Sequence, residues 1–309
     1  MSILSRPPVA SAVGRLMQSA TVFAHHRTAA RAHARLPEFG RRTQELMIPT
    51  SVGPARTTVY RNPDVVGTGS APVHVNIHGG GFIFAETEID DPLCRALAVQ
   101  TASVVLNVDY VVAPKHRFPA AAHQVDEVVR WVAAHGAENG WDGSRLTVGG
   151  DSAGGSLSAA AARLAFERGG DPALALQVLH YPAVDLAMDP RQKHSPLEKP
   201  LLRPWIRDVF DMSYVGSDTD RTDRLLSPAN AADRVDLTGI APALIIAAQN
   251  DVLRDEAKRY ADRLDAVGAL VEYREVPGKD HGYDAFDDDA ARTTYAFIAE
   301  HIRRAVGTA

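Results

Sequence analysis

Short β-rich runs alternate with alanine-rich helical stretches from about residue 70 to the end of the chain. A strand, a helix and a second strand in succession form a βαβ unit. Its two strands are parallel, because the helix returns the chain to the end of the sheet where the first strand began. We therefore expect an α/β fold with a mostly parallel central sheet flanked by helices. Strands are predicted at 73–78, 103–110, 145–150, 175–182, 243–249 and 271–277, with helices at 88–102, 121–136, 153–168, 254–267 and 287–305. Residues 57–62 are predicted to add an antiparallel edge strand.

Two stretches depart from this alternation. Residues 185–226 are polar, contain four prolines and follow no strand period, which is typical of an insertion. Residues 1–45 are predicted to form a pair of basic amphipathic helices. The insertion follows a strand, so it begins near the edge of a parallel sheet where binding sites form. We expect 1–45 and 185–226 to form a helical cap over a core of 46–184 and 227–309.

Charge and cysteine content restrict the partners and the location. The 33 Lys and Arg and 38 Asp and Glu residues give a formal net charge of -5, which supplies no general attraction for nucleic acid or anionic membranes. The single cysteine, Cys94, excludes an intramolecular disulfide, and no apolar run has the length of a bilayer span. The chain start lacks the apolar core of a signal peptide, although the absence of acids before Glu38 also fits a transit peptide. We expect a cytoplasmic protein with no stable membrane insertion, and a homodimer stays open.

The string Gly150-Asp151-Ser152-Ala153-Gly154 lies between a predicted strand and a predicted helix. Glycines two residues on either side of Ser152 permit a sharp turn that exposes its hydroxyl, as a nucleophile requires. The backbone amide of Ala153 would then lie at a helix N-terminus, where it favours a developing negative charge. A trypsin-like string and an idle flexible turn remain alternatives on these letters alone.

Three consecutive glycines follow His78 directly after a predicted strand. Without side chains, the backbone amides of Gly79 and Gly80 could approach a substrate oxyanion closely. A phosphate-binding loop is the competing interpretation, but the following Lys-Ser or Lys-Thr of such loops is absent. We expect His78 to brace this loop rather than to react.

A serine nucleophile needs a base, and the base needs an acid that fixes its tautomer. Asp251 follows the strand at 243–249, and His281 follows the strand at 271–277, so both are expected at the same sheet edge as Ser152. The order Ser, Asp, His is that of α/β hydrolases, whereas trypsin-like proteins have His, Asp, Ser on an all-β frame. Asp255 is expected inside the next helix and Asp280 is adjacent to His281, so neither is expected to orient the ring.

Several motifs together resemble the hormone-sensitive-lipase-like branch of α/β-hydrolase esterases, whose body would cover residues 70–305. They are HGGGF (78–82), GDSAGG (150–155), DVLRDE (251–256) and HGY (281–283), with further similarity at 108–121 and at Tyr181-Pro182. Lys115 and Ser156 depart from the family pattern, where an acid and an asparagine are usual.

The resemblance implies a role for each site residue. Ser152 would be the nucleophile, His281 the base and Asp251 the residue that orients it. The amides of Gly79, Gly80 and Ala153 would form the oxyanion hole, with His78 and Asp151 supporting them.

We expect a serine carboxylesterase that hydrolyses short- to medium-chain acyl esters through an acyl-enzyme, without metal or cofactor, on a small-molecule ester substrate. An amide or formamide hydrolase with the same triad is the nearest alternative, because only the pocket separates the two. A non-catalytic small-ligand receptor and a scaffold protein are the alternatives from other classes.

Overall fold

An eight-stranded sheet forms the centre of the computed structural model, which describes residues 6–62 and 71–308. The strands are β1 (Thr43–Ile48), β2 (Ala55–Tyr60), β3 (Val73–Ile77), β4 (Val104–Asp109), β5 (Leu146–Asp151), β6 (Leu176–His180), β7 (Ala243–Ala248) and β8 (Leu270–Val276). Their order across the sheet is β1-β2-β4-β3-β5-β6-β7-β8. Strands β3 to β8 are parallel, so the predicted α/β fold with a mostly parallel sheet is confirmed.

The antiparallel end of the sheet differs from the prediction. Strand β2 is antiparallel, as expected, but it lies between β1 and β4 instead of at the edge. The edge is β1, whose Thr43 to Ile48 lie partly within the stretch assigned to the cap. Its sequence TQELMI is largely exposed, so it lacks the continuous apolar run that made the central strands recognisable.

Eight helices surround the sheet in the part of the chain that the structure describes. They are α1 (Pro7–Ala34), α2 (Asp91–Thr101), α3 (Ala120–Ala134), α4 (Gly136–Asn139), α5 (Ala153–Glu167), α6 (Pro204–Tyr214), α7 (Arg254–Asp265) and α8 (Asp288–Val306). Helices α3, α5 and α7 pack on one face, and α2 and α8 pack on the other. Side chains of β3 to β7 are therefore buried on both faces, which explains their Val-, Ile- and Leu-rich sequences.

The N-terminal region is one long helix, so the prediction of two helices was wrong. Helix α1 has Pro7 and Pro8 at its first turn, where their missing N–H groups leave no hydrogen bond unmade. It packs against α6, which belongs to the insertion at 185–226. Gln18 of α1 donates to the carbonyls of Ile83 and Ala113 at 2.6 and 2.8 Å, which fixes the helix beside the loop after β3.

The insertion at 185–226 is held to the body by buried polar contacts. The ammonium of Lys193 lies 2.5 Å from Glu256 of α7, and both side chains are largely buried. The other carboxylate oxygen of Glu256 accepts from the amides of Val184 and Asp185.

Among the described residues, no helix combines the length and the apolar character needed to cross a bilayer.

Candidate active site

Ser152 occupies the sharp turn between β5 and α5. Its φ of 52° and ψ of -115° are unusual for a residue with a side chain, and such strain is common at functional positions. The backbone N–H of Ser152 donates to the carbonyl of His180 at 2.9 Å, which ties the turn to β6. The strand, the tight turn and the helix together place the hydroxyl at the carboxyl edge of the sheet.

The structure brings Ser152, His281 and Asp251 into one hydrogen-bonded chain. The Oγ of Ser152 lies 2.9 Å from Nε2 of His281, and Nδ1 of His281 lies 2.7 Å from Oδ2 of Asp251. The second carboxylate oxygen of Asp251 accepts from the backbone N–H of Leu253 at 3.0 Å. With Nδ1 protonated toward Asp251, Nε2 is free to accept the serine proton.

Burial and the neighbouring acid act on His281 in opposite directions. Removal from water lowers the pKa of His281, but the charge and hydrogen bond of Asp251 outweigh this and raise the pKa above its ordinary value. The imidazolium is therefore stabilised where a base must receive a proton. The histidine ring and the carboxylate are both almost fully buried, with side-chain exposures of 6% and 1%.

The two neighbouring acids have other partners. Asp255 lies on the surface and pairs with Arg254 at 2.7 Å. Asp280 accepts from the backbone N–H groups of His281 and Leu201, at 2.8 and 2.7 Å. Asp280 thus joins the histidine loop to the insertion and does not reach the imidazole nitrogens.

The three glycines of the loop after β3 lie differently with respect to the cavities beside Ser152. Gly79 lines neither cavity beside Ser152, and its backbone N–H interacts with the carboxylate of Asp151. Gly81 lines both cavities, and Gly80 lines one of them. A φ of 109° at Gly80 turns the loop here, a conformation that favours glycine. Gly80, Gly81 and Ala153 therefore border the cavities beside Ser152, whereas the predicted oxyanion donor Gly79 borders neither; the role of all these amides stays a prediction.

His78 and Asp151 lie behind this loop. The ring of His78 stacks on Tyr110 with centroids 4.5 Å apart, and its Nδ1 donates to the carbonyl of Gly79 at 2.7 Å. Burial lowers the pKa of His78, so the ring is neutral. A Cβ atom on Gly79 would lie 2.3 Å from Oδ2 of Asp151, which shows how closely the loop approaches this carboxylate. Both residues are placed to brace the loop.

Ser152 lines two cavities of different size. The smaller has a volume of about 80 Å³ and is lined mainly by apolar groups, including Phe82, Leu186, Met188, Leu202, Phe210 and Leu253. The larger has a volume of about 420 Å³ and is also lined by His281. Met17 of α1 and Phe210 of α6 line the larger cavity, so elements outside the sheet cover the site.

Sequence reasoning missed two buried acids in the larger cavity. Asp90 ends a short 3-10 turn, Thr87–Asp90, and Asp284 lies in another, Tyr283–Ala285. Asp284 follows His281 by three residues, which is the only signal that the sequence offered. Asp90 is distant from every motif, and no pattern in the sequence singles it out.

Among the described residues, no group of three or more His, Cys, Asp or Glu side chains is arranged to hold a metal ion.

Comparison with known proteins agrees with this architecture. A family model described as alpha/beta hydrolase fold matches residues 74–285. The chain is 40% identical over 221 residues to carboxylesterase NlhH of Mycobacterium tuberculosis, an alignment that covers 70% of this chain and 67% of the relative. It is 36% identical over 267 residues to carboxylic ester hydrolase LipN of the same species, covering 82% and 69% of the two chains.

Solved structures show the same likeness over nearly the whole chain. A hyperthermophilic esterase from the archaeon Pyrobaculum calidifontis superposes with a TM-score of 0.82 at 31% identity, covering 98% of each chain. The carboxylesterase EstE1, cloned from a metagenomic library, superposes with a TM-score of 0.83 at 30% identity, covering 95% of this chain and 97% of its own.

Proposed function

The chain belongs to the α/β-hydrolase fold family and is a carboxylic ester hydrolase, and we propose that Ser152, His281 and Asp251 are its catalytic triad. The observation that carries this proposal is the continuous hydrogen-bonded chain from the Ser152 hydroxyl through His281 to the buried Asp251. The strained turn at Ser152 supports it, because it presents the hydroxyl to both cavities.

Each proton in the reaction has a place in this geometry. The Oγ of Ser152 attacks the ester carbonyl while Nε2 of His281 takes the hydroxyl proton. Asp251 stays ionised and stabilises the imidazolium. His281 then returns the proton to the alcohol oxygen, which leaves an acyl group on Ser152. A water molecule, deprotonated by Nε2 of His281, attacks the acyl carbonyl. His281 then returns this proton to Oγ of Ser152 as the bond to the acyl group breaks, which releases the acid and restores the free serine.

The negative oxygen that forms at each attack needs hydrogen-bond donors. We assign the backbone amides of Gly80, Gly81 and Ala153 to this role, because they lie on the loop and helix end that border the cavities. The amide of Ala153 is the first of α5 and has no partner within its helix. Preorganised amides of this kind contribute roughly 10²- to 10³-fold to kcat each.

The two cavities suggest how an ester is placed. The alcohol oxygen must lie near Nε2 of His281 to receive its proton, and His281 lines the larger cavity but not the smaller. We therefore assign the alcohol half to the larger cavity and the acyl half to the smaller. At about 80 Å³ the smaller cavity has several times the roughly 10–15 Å³ that one water requires. That volume suits a short acyl chain.

We further propose that α1 and residues 185–226 form the cap, since α6 packs on α1 and both helices contribute to the lining of the larger cavity.

We propose that the protein acts in the cytoplasm on a small-molecule ester and does not bind nucleic acid. This proposal rests on the net charge of -5 and the single cysteine. Strand β8 pairs only with β7 among the described strands, which leaves an edge for a homodimer.

Covalent labelling tests the assignment of the nucleophile. A fluorophosphonate should label the wild-type protein, and Ser152→Ala should abolish labelling and lower kcat for p-nitrophenyl acetate by about 10⁴-fold or more. Ser158→Ala is the matched control, because the Ser158 hydroxyl donates to the Gly154 carbonyl within α5 and lines neither cavity. A Ser152→Ala variant that keeps a tenth of the activity would remove Ser152 from the mechanism.

A further inference from the structure

The larger cavity beside Ser152 has an unusually acidic lining. Four carboxylic acids contribute to it, namely Glu86, Asp90, Asp151 and Asp284. None of the described residues that line it is Lys or Arg, and His281 is its one basic side chain. Buried carboxylates normally have cationic partners or several hydrogen-bond donors. Glu86 is partly exposed and is hydrogen-bonded to Thr21. The partners of the other three acids therefore show whether the protein itself satisfies them.

Asp284 is held in place by two phenols. Its Oδ1 accepts from the Tyr181 hydroxyl at 2.6 Å, and its Oδ2 accepts from the Tyr295 hydroxyl at 2.9 Å. Burial, reinforced by the Asp284 charge, raises the pKa of both tyrosines well above the ordinary value, so they remain donors. Two neutral donors orient this carboxylate at the cavity wall without neutralising its charge.

Asp90 and Asp151 form a hydrogen-bonded pair of buried acids. Asp90 accepts from the Asn76 side chain at 2.7 Å and is 7% exposed. Burial raises the pKa of Asp90 to about 7, and the Asp284 charge adds to the rise. A side-chain hydrogen bond joins Asp151 to Asp90, and burial together with the charges of Asp90 and Asp284 raises the pKa of Asp151 well above its ordinary value. Asp151 is therefore protonated and supports Asp90, which leaves Asp90 and Asp284 as the acids of this wall that can attract a cation.

Aromatic side chains complete the wall. Phe84 and Phe210 line the cavity together with Tyr181, Phe286 and Tyr295. The rings of Phe84 and Phe210 meet edge to face, with centroids 5.8 Å apart. Aromatic faces attract organic cations, and the recognition of quaternary ammonium groups is a common function of aromatic walls.

The smaller cavity has the opposite character. Lys193 and Arg207 border it, together with Asp211, and the rest of its lining is mainly apolar. Lys193 is paired with Glu256 and Asp211 with Arg221, so this side has no excess of acids to attract a cation. The acidic wall lies only on the side of Ser152 that also holds His281.

We propose that the larger cavity selects esters whose alcohol half carries an ammonium group, with Asp90 and Asp284 as the specificity-determining acids. This inference rests on the proposed function, because it takes Ser152 as the nucleophile and His281 as the donor to the leaving alcohol. The described acids are not arranged as a metal site, which favours an organic cation. A volume of about 420 Å³ lies within the usual range for small-molecule pockets.

A pair of esters with the same shape and different charge tests the proposal. The substrates are 2-(trimethylammonio)ethyl acetate and 3,3-dimethylbutyl acetate, in which carbon replaces the charged nitrogen. We expect wild-type kcat/KM to be about tenfold higher for the cationic ester. Asp90→Asn and Asp284→Asn should each reduce this ratio to about threefold or less. Asp262→Asn, which removes an exposed acid of α7 that lies outside the cavity, should leave the ratio unchanged.

The ratio is independent of a general loss of activity, because the neutral ester reports on folding and chemistry in every variant. A wild-type ratio of one or less, with normal hydrolysis of the neutral ester, overturns this inference alone. A ratio that survives both Asp→Asn substitutions also overturns it. If neither ester is hydrolysed and a fluorophosphonate does not label Ser152, the proposed function fails as well.

A second pair of substrates tests which half of the ester carries the cation. Phenyl esters of 4-(trimethylammonio)butanoate and 5,5-dimethylhexanoate differ in the charge of the acyl half. We expect no preference for the cationic acyl ester, because Lys193 and Arg207 border the acyl side. A cation preference confined to the acyl pair would overturn the assignment to the alcohol half.

Discussion

Substitution of Asp251 by asparagine should reverse the tautomer of the catalytic histidine. The backbone N–H of Leu253 donates to Oδ1 of Asp251, so an asparagine would direct its carbonyl oxygen to that N–H and its amide NH₂ to His281. Nδ1 of His281 would then accept a hydrogen bond, and Nε2 would carry the proton. In that tautomer the histidine cannot take the proton of Ser152.

The size of the loss follows from the geometry. Asp251 and His281 are buried and hydrogen-bonded at 2.7 Å, and Coulomb's law can be applied to such a pair at a separation of roughly 4 Å between the two charges. At an effective dielectric constant of about 20, such a pair is worth ~4 kcal/mol, which corresponds to about 10³-fold in rate. The wrong tautomer adds to this, so we expect Asp251→Asn to lower kcat by roughly 10³- to 10⁴-fold.

The pH profile gives a second, independent measurement. The free base of His281 is the active form, so kcat/KM should rise with pH through its pKa, which Asp251 holds above the ordinary value against the effect of burial. Without the charge and hydrogen bond of Asp251, burial lowers the pKa of His281 against only the smaller opposing effects of Asp280 and Asp284, so the acid limb of the profile should move to lower pH. A merely structural defect would lower activity without moving this limb.

Stopped-flow or steady-state assays on one p-nitrophenyl ester between pH 5 and 9 would measure both effects. Asp255→Asn and Asp280→Asn are the matched controls, because each removes a neighbouring carboxylate that does not contact the imidazole nitrogens. We expect both to stay within about tenfold of the wild type. A larger loss in either control than in Asp251→Asn would refute the assignment, and so would an unmoved acid limb in Asp251→Asn.

Three further outcomes are expected. Gly80→Ala should lower kcat by about 10²-fold or more on every ester while the protein stays folded, because the φ of 109° disfavours a side chain at the oxyanion loop. Lys193→Met should lower the free energy of unfolding in urea by about 3 kcal/mol by leaving Glu256 buried and unpaired, and Lys193→Met/Glu256→Gln should recover most of the loss. Deletion of residues 1–34 should raise KM for acetates of bulky alcohols more than for ethyl acetate, since Met17 lines the larger cavity; an equal effect would place α1 outside the substrate path.

The central sheet could be predicted because its strands are buried on both faces. Ala243–Ala248 is buried at every position and its sequence is a continuous apolar run. Val73–Ile77 is also buried throughout, and its two polar residues, His74 and Asn76, are hydrogen-bonded inside the core. Thr43–Ile48 could not be found in this way, because its polar residues face solvent and its pairing with β2 depends on the rest of the sheet. A strand at an edge is defined by its neighbour more than by its own sequence.

The meeting of Ser152, Asp251 and His281 could also be predicted, because each follows a strand and parallel strands end at one edge. The glycine loop after β3 shows the limit of that reasoning. Three adjacent glycines look equivalent in the sequence, but the Asp151 carboxylate engages the amide of Gly79, and the turn at Gly80 directs the loop toward the cavities. Which glycine borders the cavities beside Ser152 is set by a tertiary contact that the motif does not contain.

The acids of the larger cavity were hidden for the same reason, and they connect specificity to catalysis. Asp90 and Asp284 are far apart in the chain and meet only because two short 3-10 turns pack beside Ser152. Their negative charge opposes the negative oxygen that forms in the transition state. An ammonium group in the same cavity would neutralise part of that charge as the reaction proceeds. The preference for a cationic ester should therefore appear in kcat as well as in KM, whereas a cavity that only attracted the substrate would change KM alone.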